Sequence, residues 1–162
     1  MSIKVKQRDI TDCGAACLAS VASHYKLELS VARIRQMAGT DTKGTNVLGI
    51  VQAAEKLGFI AKGVKGDKDV LTKVPLPSIA HIVLEKDGMQ FYHFVVIYKV
   101  SKNKISYMDP SSGTIITKII DDFAPSWTGV LVILLPNDDF IARNEKISNF
   151  QRFIFLLAPH KS

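Results

Sequence analysis

The sequence predicts an α+β domain with a helical N-terminal half and an antiparallel sheet in the C-terminal half. Three observations carry this. Apolar residues recur at helical spacing up to Leu57. From Phe59 to Pro136 they fall instead into short runs rich in Val, Ile, Tyr and Phe, separated by turn residues. The turns "KDG", "SKNK", "PSSG" and "APSW" are short, which favours antiparallel neighbours over crossover connections.

The helices come first. Thr11 and Asp12 are good N-cap types ahead of the alanine-rich stretch Cys13 to Tyr25. Its small residues (Gly14, Ala15, Ala16, Ala19, Ser20, Ala22) suit a helix packed closely on both sides. Ser30 caps a second helix that carries Val31, Ile34 and Met37 on one stripe and stops at Gly39. "DTKGTN" reads as a loop. Thr45 or Asn46 starts a third helix with Val47, Ile50, Val51, Ala54 and Leu57 on one stripe, ended by Gly58. The strands follow: "FIAKGVK", "SIAHIVLE", "FYHFVVIYKV", "KISYMD", "GTIITKI" and "TGVLVILLP".

With 162 residues, 47% of them hydrophobic and 22% charged, the chain suits one domain with a real core. The longest apolar runs, "VLVILL" and "FIFLLA", fall far short of the ~20 residues of a membrane-spanning helix. The polar, basic start "MSIKVKQRD" is unlike an export signal, so a reducing compartment and free thiols are expected. The formal charge of +6 reads as a solvated basic surface, with an acidic partner or an anionic membrane face as functional alternatives. The lysines are scattered, without the aromatic interleaving of a nucleic-acid site, so no nucleic-acid partner is expected.

The two cysteines, Cys13 and Cys17, lie one helical turn apart. A disulfide there would close a very small loop, and no partner pair completes a zinc site. Cys13 is therefore either packing or chemistry. As a nucleophile it would need a lowered pKa, a base and oxyanion donors. It stands where a helix begins, in the field of free N–H groups, and Cys17 does not. His24 is too far along the same helix to serve as base, and His160 lies in the tail. His81 and His93 both sit in apolar strand runs, where a buried core histidine is the plain alternative. Alternation groups His93 with Phe91, Val95 and Ile97, and groups Asp109 with Ile105 and Tyr107 one hairpin later. Asp109 can orient an imidazole on a neighbouring strand, and "DPSSG" can equally be a turn; the two are compatible. Gln7, six residues ahead of Cys13, can reach over the helix N-terminus to form an oxyanion hole with the Cys13 N–H, or can simply be solvated.

Gln7, "DCGAACL", "KGTN", "LPSIAH", "HFVVIY", "DPSSG" and "WTG" occur in that order. The ordered set resembles the peptidase C39 domain, the N-terminal protease of bacteriocin-processing ABC exporters, over roughly residues 4 to 136. The resemblance implies a papain-like fold. It implies Cys13 as nucleophile, His93 as base, Asp109 as orienter and Gln7 as oxyanion donor, with His81 non-catalytic. It implies cleavage of a precursor peptide's leader after a Gly-Gly or Gly-Ala pair, coupled to export. The alternative is a module that docks the leader without cutting it; another papain-like transfer reaction is a third. The glycine pair would be selected by a channel too narrow for larger side chains, and the leader would lie as an amphipathic helix in an apolar groove, placed near "DTKGTNVLGI". Residues 1–136 would be the peptidase domain. Residues 137–162, which become amphipathic, would connect to a transmembrane domain. No cofactor or metal is expected here; ATP would belong to a nucleotide-binding domain of the same transporter. The location implied is the cytoplasmic side of the bacterial inner membrane.

Overall fold

The structure is a computed structural model that describes residues 12–39 and 46–145. Three helices open it: α1 (Cys13–His24), α2 (Val31–Ala38) and α3 (Val47–Lys56). Six strands follow: β1 (Phe59–Lys65), β2 (Ser78–Lys86), β3 (Met89–Val100), β4 (Lys104–Asp109), β5 (Thr114–Ile119) and β6 (Trp127–Pro136). The α+β class with an antiparallel sheet is as the sequence predicts.

Local chemistry sets the helix limits. Ser30 Oγ accepts from Arg33 N at 3.1 Å and Asn46 Oδ1 from Gly49 N at 2.7 Å, so α2 and α3 each start on a side-chain cap. Gly39 ends α2 at φ 64°, a conformation cheap only for glycine. Asp12 departs from expectation. It holds the N-cap position of α1, but its side chain makes no capping bond. The carboxylate is buried and turns instead to Arg35 of α2, with Nε 3.0 Å from Oδ1. This is a close charge pair that misses hydrogen-bond alignment.

The sheet order is β1-β6-β2-β3-β4-β5, every pair antiparallel. The last strand therefore lies between the first and second, a long-range pairing that turn signals alone do not reveal. Both faces of the central strands are covered. Ile79, Phe94, Val96, Met108, Val132 and Leu134 pack under the helices with Leu18, Val21, Ile50 and Ala53. On the opposite face Ala80, Ile82, Val95, Ile97, Ile105 and Tyr107 pack with Leu71, Phe123 and Trp127. Double coverage explains the unbroken apolar run "FVVI" in β3. Phe123 and Ile120 lie three apart and both bury, which winds the stretch before β6 into a short helix α4 (Ile120–Phe123) and a 3-10 turn (Ala124–Ser126). The sequence alone predicts only the turn "APSW" there.

α1 is buried from Cys13 to Ser23. Its alanines, glycine and serines let it lie close to α2, α3 and β3 together, as their small size predicts. After β6 the chain returns to the helical half. Phe140 packs on Phe59 at a centroid separation of 4.9 Å, and Glu28 pairs with the backbone of Arg143 and Glu145. The tail beyond residue 145 lies outside the described residues. Among the described residues, no helix is long and apolar enough to cross a membrane.

Candidate active site

Cys13 is the first residue of α1, and its side chain is 8% exposed. His93 is in β3, also 8% exposed. Asp109 closes β4. The register Val96↔Met108 continues to bring Asp109 diagonally beside His93 on one face of the sheet. His93 Nε2 meets Asp109 Oδ1 at 2.7 Å. The Cys13 side chain adjoins the same imidazole and raises its pKa. Because Nε2 is engaged by Asp109, Nδ1 is the nitrogen left for the thiol. Three residues from three elements, far apart in sequence, thus form one connected line.

Asp109 is both turn and orienter. Oδ1 also accepts from Ser111 N at 2.9 Å and Ser111 Oγ at 2.7 Å, while its carbonyl accepts from Gly113 N at 2.8 Å. The "DPSSG" turn therefore fixes the carboxylate that fixes the imidazole. Burial alone would raise the Asp109 pKa; the bonds from His93 and Ser111 outweigh it and bring it down to about 2. Burial alone would lower the His93 pKa; the hydrogen bonds to Asp109 and Cys13, and the negative charge of both, raise it to about 9. The geometry thus favours imidazolium beside the thiol. Cys17 is the contrast. It is completely buried, and burial, with the nearby Cys13 and Asp109, pushes its thiol well above the usual range.

The remaining candidates separate cleanly. His81 does not join the cluster. Thr128 Oγ1 donates to the His81 carbonyl at 3.0 Å, so at its 3.0 Å contact with His81 Nδ1 it can only accept. That fixes the Nδ1–H tautomer, and burial lowers the pKa of the ring. Tyr92 stacks on it at 5.1 Å. His24 lies at the far end of α1 against Tyr25 and Tyr98. Gln7 and His160 lie outside the described residues, as do 41–45 of the segment expected to border the leader groove. Leu48, in the described part of that segment, is 63% exposed on α3. Sequence reasoning missed two supports: the double donation of Ser111, which an Asp two residues ahead of a Ser signals as an Asx turn, and the Asp12–Arg35 pair, for which spacing gives no signal.

Known proteins share this fold. The crystal structure of the peptidase domain of Streptococcus ComA, a bifunctional ABC transporter involved in a quorum sensing pathway, superposes with a TM-score of 0.76 at 35% identity, covering 85% of this chain and 100% of that one. A double glycine motif protease from an AMS/PCAT transporter, solved in complex with the leader peptide, gives 0.76 at 29% identity, covering 85% and 93%. The lactococcin-G-processing and transport ATP-binding protein of Lactococcus lactis subsp. lactis is 39% identical over 160 residues, 98% of this chain. Mesentericin-Y105 transport/processing ATP-binding protein of Leuconostoc mesenteroides is 35% identical over 97% of the chain. The chain spans 22% of the length of each of these two relatives. The peptidase C39 family model matches residues 2–139, which takes in α1, all six strands and every member of the cluster: the chain belongs to the peptidase C39 family.

Proposed function

We propose that the chain is a cysteine endopeptidase that removes the leader of a bacteriocin-type precursor after a Gly-Gly or Gly-Ala pair. The observation that carries this reading is the single imidazole of His93, held by Asp109 at 2.7 Å and raised in pKa by Cys13 beside it as well as by Asp109. Relatives named for bacteriocin processing and transport, and a structural neighbour solved with a leader peptide, support the substrate class.

The chemistry follows from the placement of the groups. The Cys13 thiolate attacks the carbonyl carbon of the residue before the scissile bond. Negative charge develops on that oxygen, near the free N–H groups at the start of α1. The Cys13 N–H and the Gln7 side-chain amide are its proposed donors. The tetrahedral adduct collapses as His93, an imidazolium held by Asp109, gives its proton to the leaving amine. Cargo departs and the leader remains as a thioester on Cys13. Neutral His93 then takes a proton from water, the hydroxide attacks the thioester, and the leader leaves with a new carboxylate while the cysteine is restored.

The same reading assigns residues 1–136 to the peptidase domain and 137–162 to a connector toward a transmembrane domain. Its partners are the precursor peptide and the transmembrane and nucleotide-binding domains of one transporter, on the cytoplasmic side of the bacterial inner membrane. No cofactor is needed in this domain.

The test is a pair of leader peptides, one ending in Gly-Gly before the cargo and one with valine at either glycine. Cleavage after the second glycine of the first peptide and none of the second is expected. Equal cleavage of both would contradict the double-glycine assignment.

A further inference from the structure

Asp12 immediately precedes the nucleophile and is 2% exposed. A buried carboxylate beside a group that must itself become an anion is an electrostatic conflict. Like charges that close disfavour each other's ionised forms. Asp12 does not relieve this by capping α1, since its side chain makes no capping bond. Its charge is met by Arg35, whose Nε is 3.0 Å away and whose side chain is 38% exposed on α2. Cys13 and Asp109 act together on both His93 and Cys17, and Asp12, with its Arg35 counter-ion, adjoins Cys13 in the chain at the start of α1.

We infer that Arg35 is a positioning residue of the peptidase site: it cancels the Asp12 charge next to Cys13 and so removes a charge that opposes the thiolate. The inference rests on Cys13 as the nucleophile. The pair also ties the start of α1 to α2, so a purely mechanical role is the rival, and the two roles differ in sign. If Arg35 acts through charge, its loss and the loss of Asp12 move thiolate formation in opposite directions. If it acts as a brace, both losses loosen the same joint and move it the same way.

The experiment measures the rate of iodoacetamide alkylation of Cys13 against pH in the 162-residue chain, in wild type, Arg35→Gln, Arg35→Lys, Asp12→Asn and the Asp12→Asn/Arg35→Gln double variant. Cys17 is fully buried and does not compete for the reagent. Arg35→Gln is expected to move the midpoint up by about one pH unit, the scale of one lost close charge. Asp12→Asn is expected to move it down, the double variant to return it close to wild type, and Arg35→Lys to leave it near wild type. An unchanged midpoint in Arg35→Gln would overturn the inference. So would an Asp12→Asn shift in the same direction as Arg35→Gln. If Arg35→Gln does not fold, the downward shift of Asp12→Asn and the rescue by Arg35→Lys still decide. Alkylation needs no substrate, so these shifts without any peptide cleavage would count against the proposed function alone and leave Arg35 as the counter-charge that governs the Cys13 thiolate.

Discussion

His93 and Asp109, sixteen residues apart, are joined by a 2.7 Å bond between Nε2 and Oδ1, and the same carboxylate oxygen takes two further bonds from Ser111. One turn therefore holds the imidazole by Nε2 and leaves Nδ1 for Cys13. The expected consequences can be measured separately.

The charge of Asp109 should be visible in the pH profile. It is among the groups that raise His93 to about 9, so wild-type kcat/KM should fall as pH rises through about 9, where the imidazolium is lost. Asp109→Asn keeps a hydrogen-bond acceptor and removes the charge. Its alkaline limb should move to lower pH with a moderate loss of rate. Asp109→Ala should cost roughly 10²-fold in kcat/KM, the scale of a lost acid–base partner. Profiles of all three proteins on one leader peptide check this.

The same pair sets a pH window for stability. His93 has a raised folded-state pKa, so its contribution is full below its ordinary 6.5 and is lost as pH rises through about 9. Asp109 has a lowered one, so its contribution is full above its ordinary 3.8 and is lost as pH falls through about 2. Thermal unfolding should show a steeper decline in Tm from pH 7 to 9.5 in wild type than in His93→Ala.

The two cysteines should respond differently to serine. Cys13→Ser should abolish cleavage with little effect on folding. Cys17→Ser places a hydroxyl at a fully buried site in the helical core and should cost about 2 kcal/mol in stability while cleavage persists. Urea unfolding and peptide cleavage, measured on both variants, separate the roles.

Gly58 ends α3 at φ 100°, where a Cβ would stand 3.1 Å from the Phe140 Cα. Gly58→Ala should destabilise by roughly 1–3 kcal/mol through backbone strain and this contact. The urea midpoint should fall, and the pH limbs of activity should stay where they are.

Much of this was legible in the sequence because local rules govern it. Ser30, Asn46 and Gly39 punctuate the helices as their cap chemistry predicts, and alternation sets His93 with Val95 and Ile97 and Asp109 with Ile105 and Tyr107, two sets that the Ile97↔Tyr107 register then joins. What escaped is non-local. The insertion of β6 between β1 and β2 depends on pairing over a long stretch of chain, and the winding at Ile120–Phe123 depends on a second core that forms only once both sheet faces are covered. Residue type favours Asp12 as a cap; the charge of Arg35, delivered by a different helix, draws it away. The ring nitrogen facing each partner also required the fold, since it follows from where Asp109 sits relative to β3.

The most direct test of the central claim is the mass of the products when a double-glycine leader peptide is incubated with wild type and, in parallel, with Cys13→Ala. The account predicts two fragments summing to substrate plus one water with wild type, cut after the glycine pair, and intact peptide with the variant. Equal cleavage by Cys13→Ala, or binding without any cut by the wild type, would contradict it.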